Sequence, residues 1–228
     1  MENLQLVATP VGPWEQGVAT VLHAKSLAFE LVDIDPYVPL AERPTWFREL
    51  SPSGKAPVLV HDGAALFETR AIAEYLDDRF TPRLHPVDLV ERARHRACLD
   101  ALPGFQRASS DVNNAKSEND VIAALDALPG FLEPLGEAHA VTNGPLFGGP
   151  VFSMVDALYA PFLHRLAWAA PHLGGRLGRD PFDGFPAVRE WAQVLLAQDA
   201  VCAAIRPDFE DRYREHLVRR GNWLAGTL

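Results

Sequence analysis

The apolar positions of the first eighty residues follow two rhythms. Leu4–Ala8 (LQLVA) and Phe29–Ile34 (FELVDI) are short β-rich runs, and residues 14–26 between them carry apolar positions at helical spacing. Strand, helix, strand predicts a βαβ unit with parallel strands. After the polar stretch AERPTWFRELSPSGK come PVLVH (57–61) and AALF (64–67), separated by Asp62-Gly63. That dipeptide favours the tight turn in which both central residues have positive φ, so these two runs should form an antiparallel hairpin. ETRAIAEYLDDRF (68–80) then places Ile72, Tyr75 and Leu76 on one helical face. The order βαβ, helical connection, ββα predicts a small α/β unit on a mixed sheet.

From about residue 88 the strand patterns stop. DLVERARHRACLDALPGF, NDVIAALDALPGFLEPLGEAHA, SMVDALYAPFLHRLAW, FPAVREWAQVLLAQ and DFEDRYREHLVRR all read as helices, interrupted by Pro, Gly or polar turns. The change of pattern falls at TPRLHPVD, whose two prolines mark residues 81–87 as a linker between units 1–80 and 88–228. LDALPGF occurs at 99–105 and again at 125–131, which is too short to define a repeat architecture. Ser153-Met-Val-Asp156 is a capping box with aspartate in the glutamate position.

Composition narrows the function classes. With 48% hydrophobic and 22% charged residues among 228, the chain is expected to fold as a soluble globular protein. A net charge of −9 argues against nucleic-acid backbones and anionic membranes as partners. No apolar run is long enough to span a bilayer, and MENLQLVATP lacks the basic and apolar regions of a secretory signal. Cys98 and Cys202 form neither a disulfide framework nor a metal-binding spacing, and His85, His95 and His164 are scattered. A cytoplasmic, metal-free protein is expected.

Three stretches together resemble the cytosolic glutathione transferases, in particular bacterial omega-like members: SPSGKAPVLVHDGAALFETRAIAEYLDDRF (51–80), DLVERARHRACL (88–99) and GPLFGGPVFSMVDALYAPFL (144–163). The resemblance implies a thioredoxin-like α/β N-terminal domain followed by an all-α C-terminal domain. It also implies glutathione as cosubstrate, a small-molecule electrophile as second substrate, and a homodimer. By the same resemblance Pro57 is cis and, with Val58, offers backbone to glutathione. Thr69 then holds the γ-glutamyl carboxylate, Glu68 the amine and Lys55 the glycyl carboxylate. By their own chemistry Glu68 and Thr69 also suit plain helix capping, and Lys55 suits a solvated loop.

One departure bears on the chemistry. In TPVGPWEQG the strand-to-helix turn reads Gly12-Pro13-Trp14, where the resembled family carries a Cys, Ser or Tyr. A free thiol has a pKa near 8.5, and lowering it by about two units takes roughly 2.7 kcal/mol of preferential thiolate stabilisation. Gly12 supplies no side chain for that and cannot form a mixed disulfide. Pro13 suits the first helical position, which makes Gly12 the N-cap and leaves backbone N–H groups and the helix dipole to face an anion. Thr9 is the nearest hydroxyl, either a replacement donor or a strand-end residue bonding local backbone. Glu15 either neutralises the helix start or acts as a base. Trp14 either walls the substrate pocket or packs into the core. Phe105, Ser109, Asn113 and Asn114 are the expected second-domain lining. Conjugation or elimination with glutathione is the leading expectation; glutathione binding without catalysis and a glutathione-dependent isomerase are the alternatives.

Overall fold

The computed structural model describes residues 3–142 and 144–227. Four strands, β1 (Leu4–Ala8), β2 (Glu30–Asp33), β3 (Val58–His61) and β4 (Ala64–Phe67), form one sheet in the order β2-β1-β3-β4. β1 runs parallel to β2, and the β1–β3 and β3–β4 pairs are antiparallel. The expected hairpin turn is present, with φ of 49° at Asp62 and 87° at Gly63. Three helices accompany the sheet: α1 (Pro13–Ala24), α2 (Thr45–Leu50) and α3 (Thr69–Arg79). Short as it is, α2 is anchored by Phe47, which is fully buried against Val7, Ile34 and Val58.

The remaining chain is helical: α4 (Leu89–Asn114), α5 (Glu118–Ala127), α6 (Pro129–Ala140), α7 (Met154–Leu177), α8 (Pro186–Leu196), α9 (Asp199–Ala204) and α10 (Phe209–Arg219). The two LDALPGF copies part company here. In the first, Leu99, Leu102 and Phe105 are all buried, and α4 runs straight through Pro103-Gly104. In the second, Phe131 is exposed and the chain breaks at Leu128, between α5 and α6. Proline removes one helical hydrogen bond in either copy, so packing of the flanking apolar residues decides whether the helix continues.

Central to the helical part is α7, fixed at its start by the capping box. Ser153 Oγ accepts from the Asp156 N–H, and Asp156 Oδ2 accepts from the Ser153 N–H. Fully buried, Asp156 also accepts from Ser153 Oγ at 2.6 Å, the Phe147 N–H at 2.9 Å and Trp191 Nε1 at 2.8 Å. These four donors compensate its lost hydration.

The proline-rich connection after α3 is fastened. Lys25, at the end of α1, places its buried ammonium on Asp77 (2.8 Å) and on the carbonyls of Phe80 (3.0 Å) and Pro82 (2.6 Å). Asp77 in turn accepts from the N–H groups of Leu84 and His85, and the Leu84 carbonyl takes the N–H of Met154 at the start of α7. Among the described residues no helix is long and apolar enough to cross a membrane.

Candidate functional site

A cleft of about 360 Å³ separates the sheet unit from α4 and α7. Its sheet-side wall is Trp14, Ser53, Lys55, Ala56, Pro57, Glu68 and Thr69; Leu99, Asp100, Leu102, Pro103 and Leu158 form the opposite wall. The Ala56–Pro57 bond is cis. Lys55 is exposed, on a loop held by Ser51 Oγ donating to its carbonyl and by Arg43 donating to the carbonyl of Gly54. Glu68 caps α3 with φ of 68°, a left-handed conformation that is strained for a glutamate and common where a backbone is shaped for a ligand. Thr69 is buried at the first turn of α3, where helix N–H groups favour an anion.

Val58 stands apart from the other expected residues. It is fully buried with Val7, Ile34 and Phe47, in register with Val7 and Phe67, and does not line the cleft. Ala56, just before the strand, lines it instead. Strand pairing explains this: Val58 lies in the ladder between Val7 and Phe67, where a residue gives its N–H and C=O to a neighbouring strand, whereas Ala56 precedes the ladder.

A second cleft, about 310 Å³, continues from the first through Trp14 and Ala56, which line both. Gly12, Glu15, Phe162, Arg165, Tyr213, His216 and Arg220 lie on it, and α4 contributes Gln106, Ser109, Ser110, Asn113 and Asn114. Those five α4 positions recur at three- and four-residue intervals and so share one helical face. Phe105 lies one position off that face and packs into the core, its ring 5.4 Å from Tyr159. Trp14 takes both roles weighed for it: it walls the two clefts and meets Phe162 edge-on at 5.0 Å.

At the turn itself Gly12 is the N-cap of α1 and Pro13 its first residue. The Glu15 side chain folds back over this turn. Its Oε1 accepts from Thr9 Oγ1 at 2.7 Å and from the Thr9 N–H at 3.3 Å. A Cβ built on Gly12 would collide with the Glu15 carboxylate, so this carboxylate occupies the space of the missing side chain. The Thr9 hydroxyl proton is thus committed to Glu15, which removes Thr9 as a free donor to a thiolate. Behind the turn, Arg165 of α7 donates to Gln16 Oε1 (2.9 Å), the Pro161 carbonyl (2.6 Å) and the Val11 carbonyl (2.8 Å). Burial lowers its pKa to about 10, an effect that Tyr213 and Glu15 oppose, so Arg165 stays charged at neutral pH.

Burial holds His23, His85, His95, His139, His164 and His216 below the ordinary histidine pKa. Burial pushes His164 down to about 3, and burial followed by Arg220, Arg165 and Lys116 pushes His216 down to about 4. His216 meets the Tyr37 hydroxyl at 2.6 Å. Among the described residues no group of His, Cys, Asp or Glu could hold a metal ion, and both cysteines are free thiols. The pattern does not single out Arg165, nor the contact that Glu15 makes. Arg165 had a signal, as a lone cation inside the otherwise apolar ALYAPFLHRLAWAA. Glu15 was named, but its folding back onto Thr9 is a rotamer choice that no sequence spacing encodes.

Residues 11–79 match the family model for the N-terminal domain of glutathione S-transferase, and residues 71–193 match that for its C-terminal domain. The chain belongs to the glutathione S-transferase family. Among its relatives are glutathione S-transferase omega-2 of Rattus norvegicus, 32% identical over 84% of this chain and 74% of that protein, and the stringent starvation protein A homolog of Haemophilus influenzae, 34% identical over 82% of this chain and 83% of that protein. Solved structures share the fold. A tau-class glutathione S-transferase from mango superposes with a TM-score of 0.79 at 20% identity, over 95% of this chain and 98% of that one. Rice GST1 in complex with glutathione also gives 0.79, at 24% identity over 96% of each chain.

Proposed function

We propose that this protein is a glutathione-dependent transferase that joins glutathione to a small electrophile, or eliminates it from one, with no enzyme nucleophile at Gly12. The observation that carries this reading is the gathering of Lys55, Ala56, Pro57, Glu68 and Thr69 on one wall of a cleft that opens, at Trp14, into the second cleft beside Gly12. In this reading Lys55 meets the glycyl carboxylate, and Ala56 and Pro57 present backbone to the cysteinyl unit. Thr69 and the first turn of α3 take the γ-glutamyl carboxylate, and Glu68 takes its amine. Val58 shapes the wall from behind. The sulfur then lies near Trp14 and Gly12, facing the second cleft, and catalysis rests on positioning and on the dipole of α1. The thiol proton passes to water as the C–S bond forms, while the electrophile either releases its leaving group with the bonding pair or, in an addition, takes up a proton, and no covalent enzyme intermediate arises. A homodimer, in line with the family, completes the reading and is checked by light scattering on the eluting protein.

One feature favours a second reading, in which glutathione is bound but not activated. The Glu15 carboxylate lies at the turn where a thiolate would sit, and like charges at short range raise a thiol pKa. Ultraviolet titration of the bound thiol separates the two. A pKa well below that of free glutathione supports the transferase; an unshifted or raised value supports the binding protein; absence of binding removes both.

A further inference from the structure

Resting on the transferase reading, we propose that the second cleft takes an anionic co-substrate, a small molecule whose carboxylate is met by Arg220. The two clefts are strung along α4. Leu99, Leu102 and Pro103 face the first, and Gln106 through Asn114 face the second. From Pro103 to Asn114 the helix rises about 16 Å. Beyond Asn114, the Lys116 ammonium donates to the Arg220 carbonyl, which sets Arg220 at the far end of the α4 polar stripe.

The lining is chemically one-sided. Its α4 wall is amide and hydroxyl throughout, and Gln106 Nε2 donates to Ser110 Oγ at 2.7 Å. Arg165, His216 and Arg220 lie on the same cleft, and among the described residues the one carboxylate lining it is Glu15, already engaged by Thr9. Arg206, Arg189 and Arg96 each hold an aspartate or glutamate, whereas the Arg220 guanidinium meets no carboxylate among the described residues. Besides burial, Arg220, Arg165 and Lys116 each disfavour protonation of His216, which lines the cleft. The whole chain carries −9, so a positive cleft runs against its average and would concentrate anions from solution. Arg220 is exposed in the free protein, so an apolar electrophile would forgo its charge, whereas a carboxylate would engage it.

Calorimetry with three glutathione thioethers tests this. S-Methylglutathione reports the glutathione cleft alone. S-(3-Carboxypropyl)glutathione and S-(4-methylpentyl)glutathione have side arms of equal length and shape, one ending in a carboxylate and the other in an isopropyl group. The carboxylate compound is expected to bind at least about tenfold more tightly than its isostere, the order of one charge-assisted hydrogen bond. That preference should weaken with added salt and disappear in Arg220→Met, while S-methylglutathione binding stays unchanged. Equal or tighter binding of the methylpentyl compound by the wild-type protein overturns the anionic assignment and leaves the transferase reading standing. If none of the three binds, the glutathione reading falls and this inference falls with it.

Discussion

Glu15 Oε1 lies 2.7 Å from Thr9 Oγ1, and its carboxylate fills the space that any side chain at position 12 would need. Gly12 is therefore more than an absent nucleophile. The carboxylate is the far end of a flexible side chain, so a residue introduced at position 12 would displace it instead of forcing the backbone to move.

This gives a prediction about thiol chemistry. In Gly12→Cys the new thiol shares the turn with the Glu15 carboxylate, which holds its pKa up, while the dipole of α1 pulls it down. Adding Glu15→Gln removes the repulsion. The double variant is expected to show a thiol pKa at least about one unit lower than Gly12→Cys alone, read from the pH dependence of iodoacetamide alkylation. Equal values would mean that Glu15 swings clear and exerts no field at the turn.

The Thr9 hydroxyl donates to Glu15, so it is expected to act on that carboxylate and not on glutathione. Thr9→Ala removes a hydrogen bond to a buried carboxylate and should cost roughly 1.5–3 kcal/mol of stability in urea denaturation. The thiol pKa of bound glutathione should stay where it is in this variant and fall in Glu15→Gln. A rise of that pKa in Thr9→Ala would restore Thr9 as a thiolate donor.

The Asp156 hub is expected to serve folding and not ligand binding. Trp191→Phe keeps the ring and removes the indole N–H that donates to Asp156 at 2.8 Å. A loss of roughly 1.5–3 kcal/mol is expected, with affinity for S-methylglutathione unchanged. A matching loss of ligand affinity would tie the hub to the cleft.

Acid should destabilise this protein earlier than its carboxylates alone require. His164 has a folded pKa of about 3, well below the ordinary histidine value of 6.5, and His85, His95 and His139 are also lowered by burial. Below 6.5 the unfolded chain takes up protons that the folded chain refuses, so stability is full above 6.5 and drains away as pH falls. For His164 the loss by pH 5 is about 2 kcal/mol. His164→Phe, which keeps a ring against Phe209, should flatten the slope of Tm against pH between 6.5 and 5. An unchanged slope would assign the acid sensitivity elsewhere.

The strand directions, hairpin and helix faces were legible because each rests on a local rule: a helix between LQLVA and FELVDI, Asp62-Gly63 at a two-residue turn, and Ile72 and Leu76 four apart. The cis bond before Pro57 was legible only through family likeness, since the local preference is trans. What stayed hidden depends on tertiary context. The same seven residues continue a helix at 99–105 and break one at 125–131, Val58 turns inward by register, and Phe105 misses the cleft by a single helical position. The fold-back of Glu15 and the reach of Arg165 to Val11 join residues whose partners no spacing identifies.

That reach has a consequence for how the site is built. Arg165 stands on α7, yet it grips the carbonyl of Val11 and the side chain of Gln16 on either side of the Gly12 turn. Cut away at residue 80, the sheet unit would lose the guanidinium that clasps the turn from below. The shape of the Gly12 turn is thus set jointly by two distant parts of the chain, and a transplanted N-terminal unit would carry the groove without its setting.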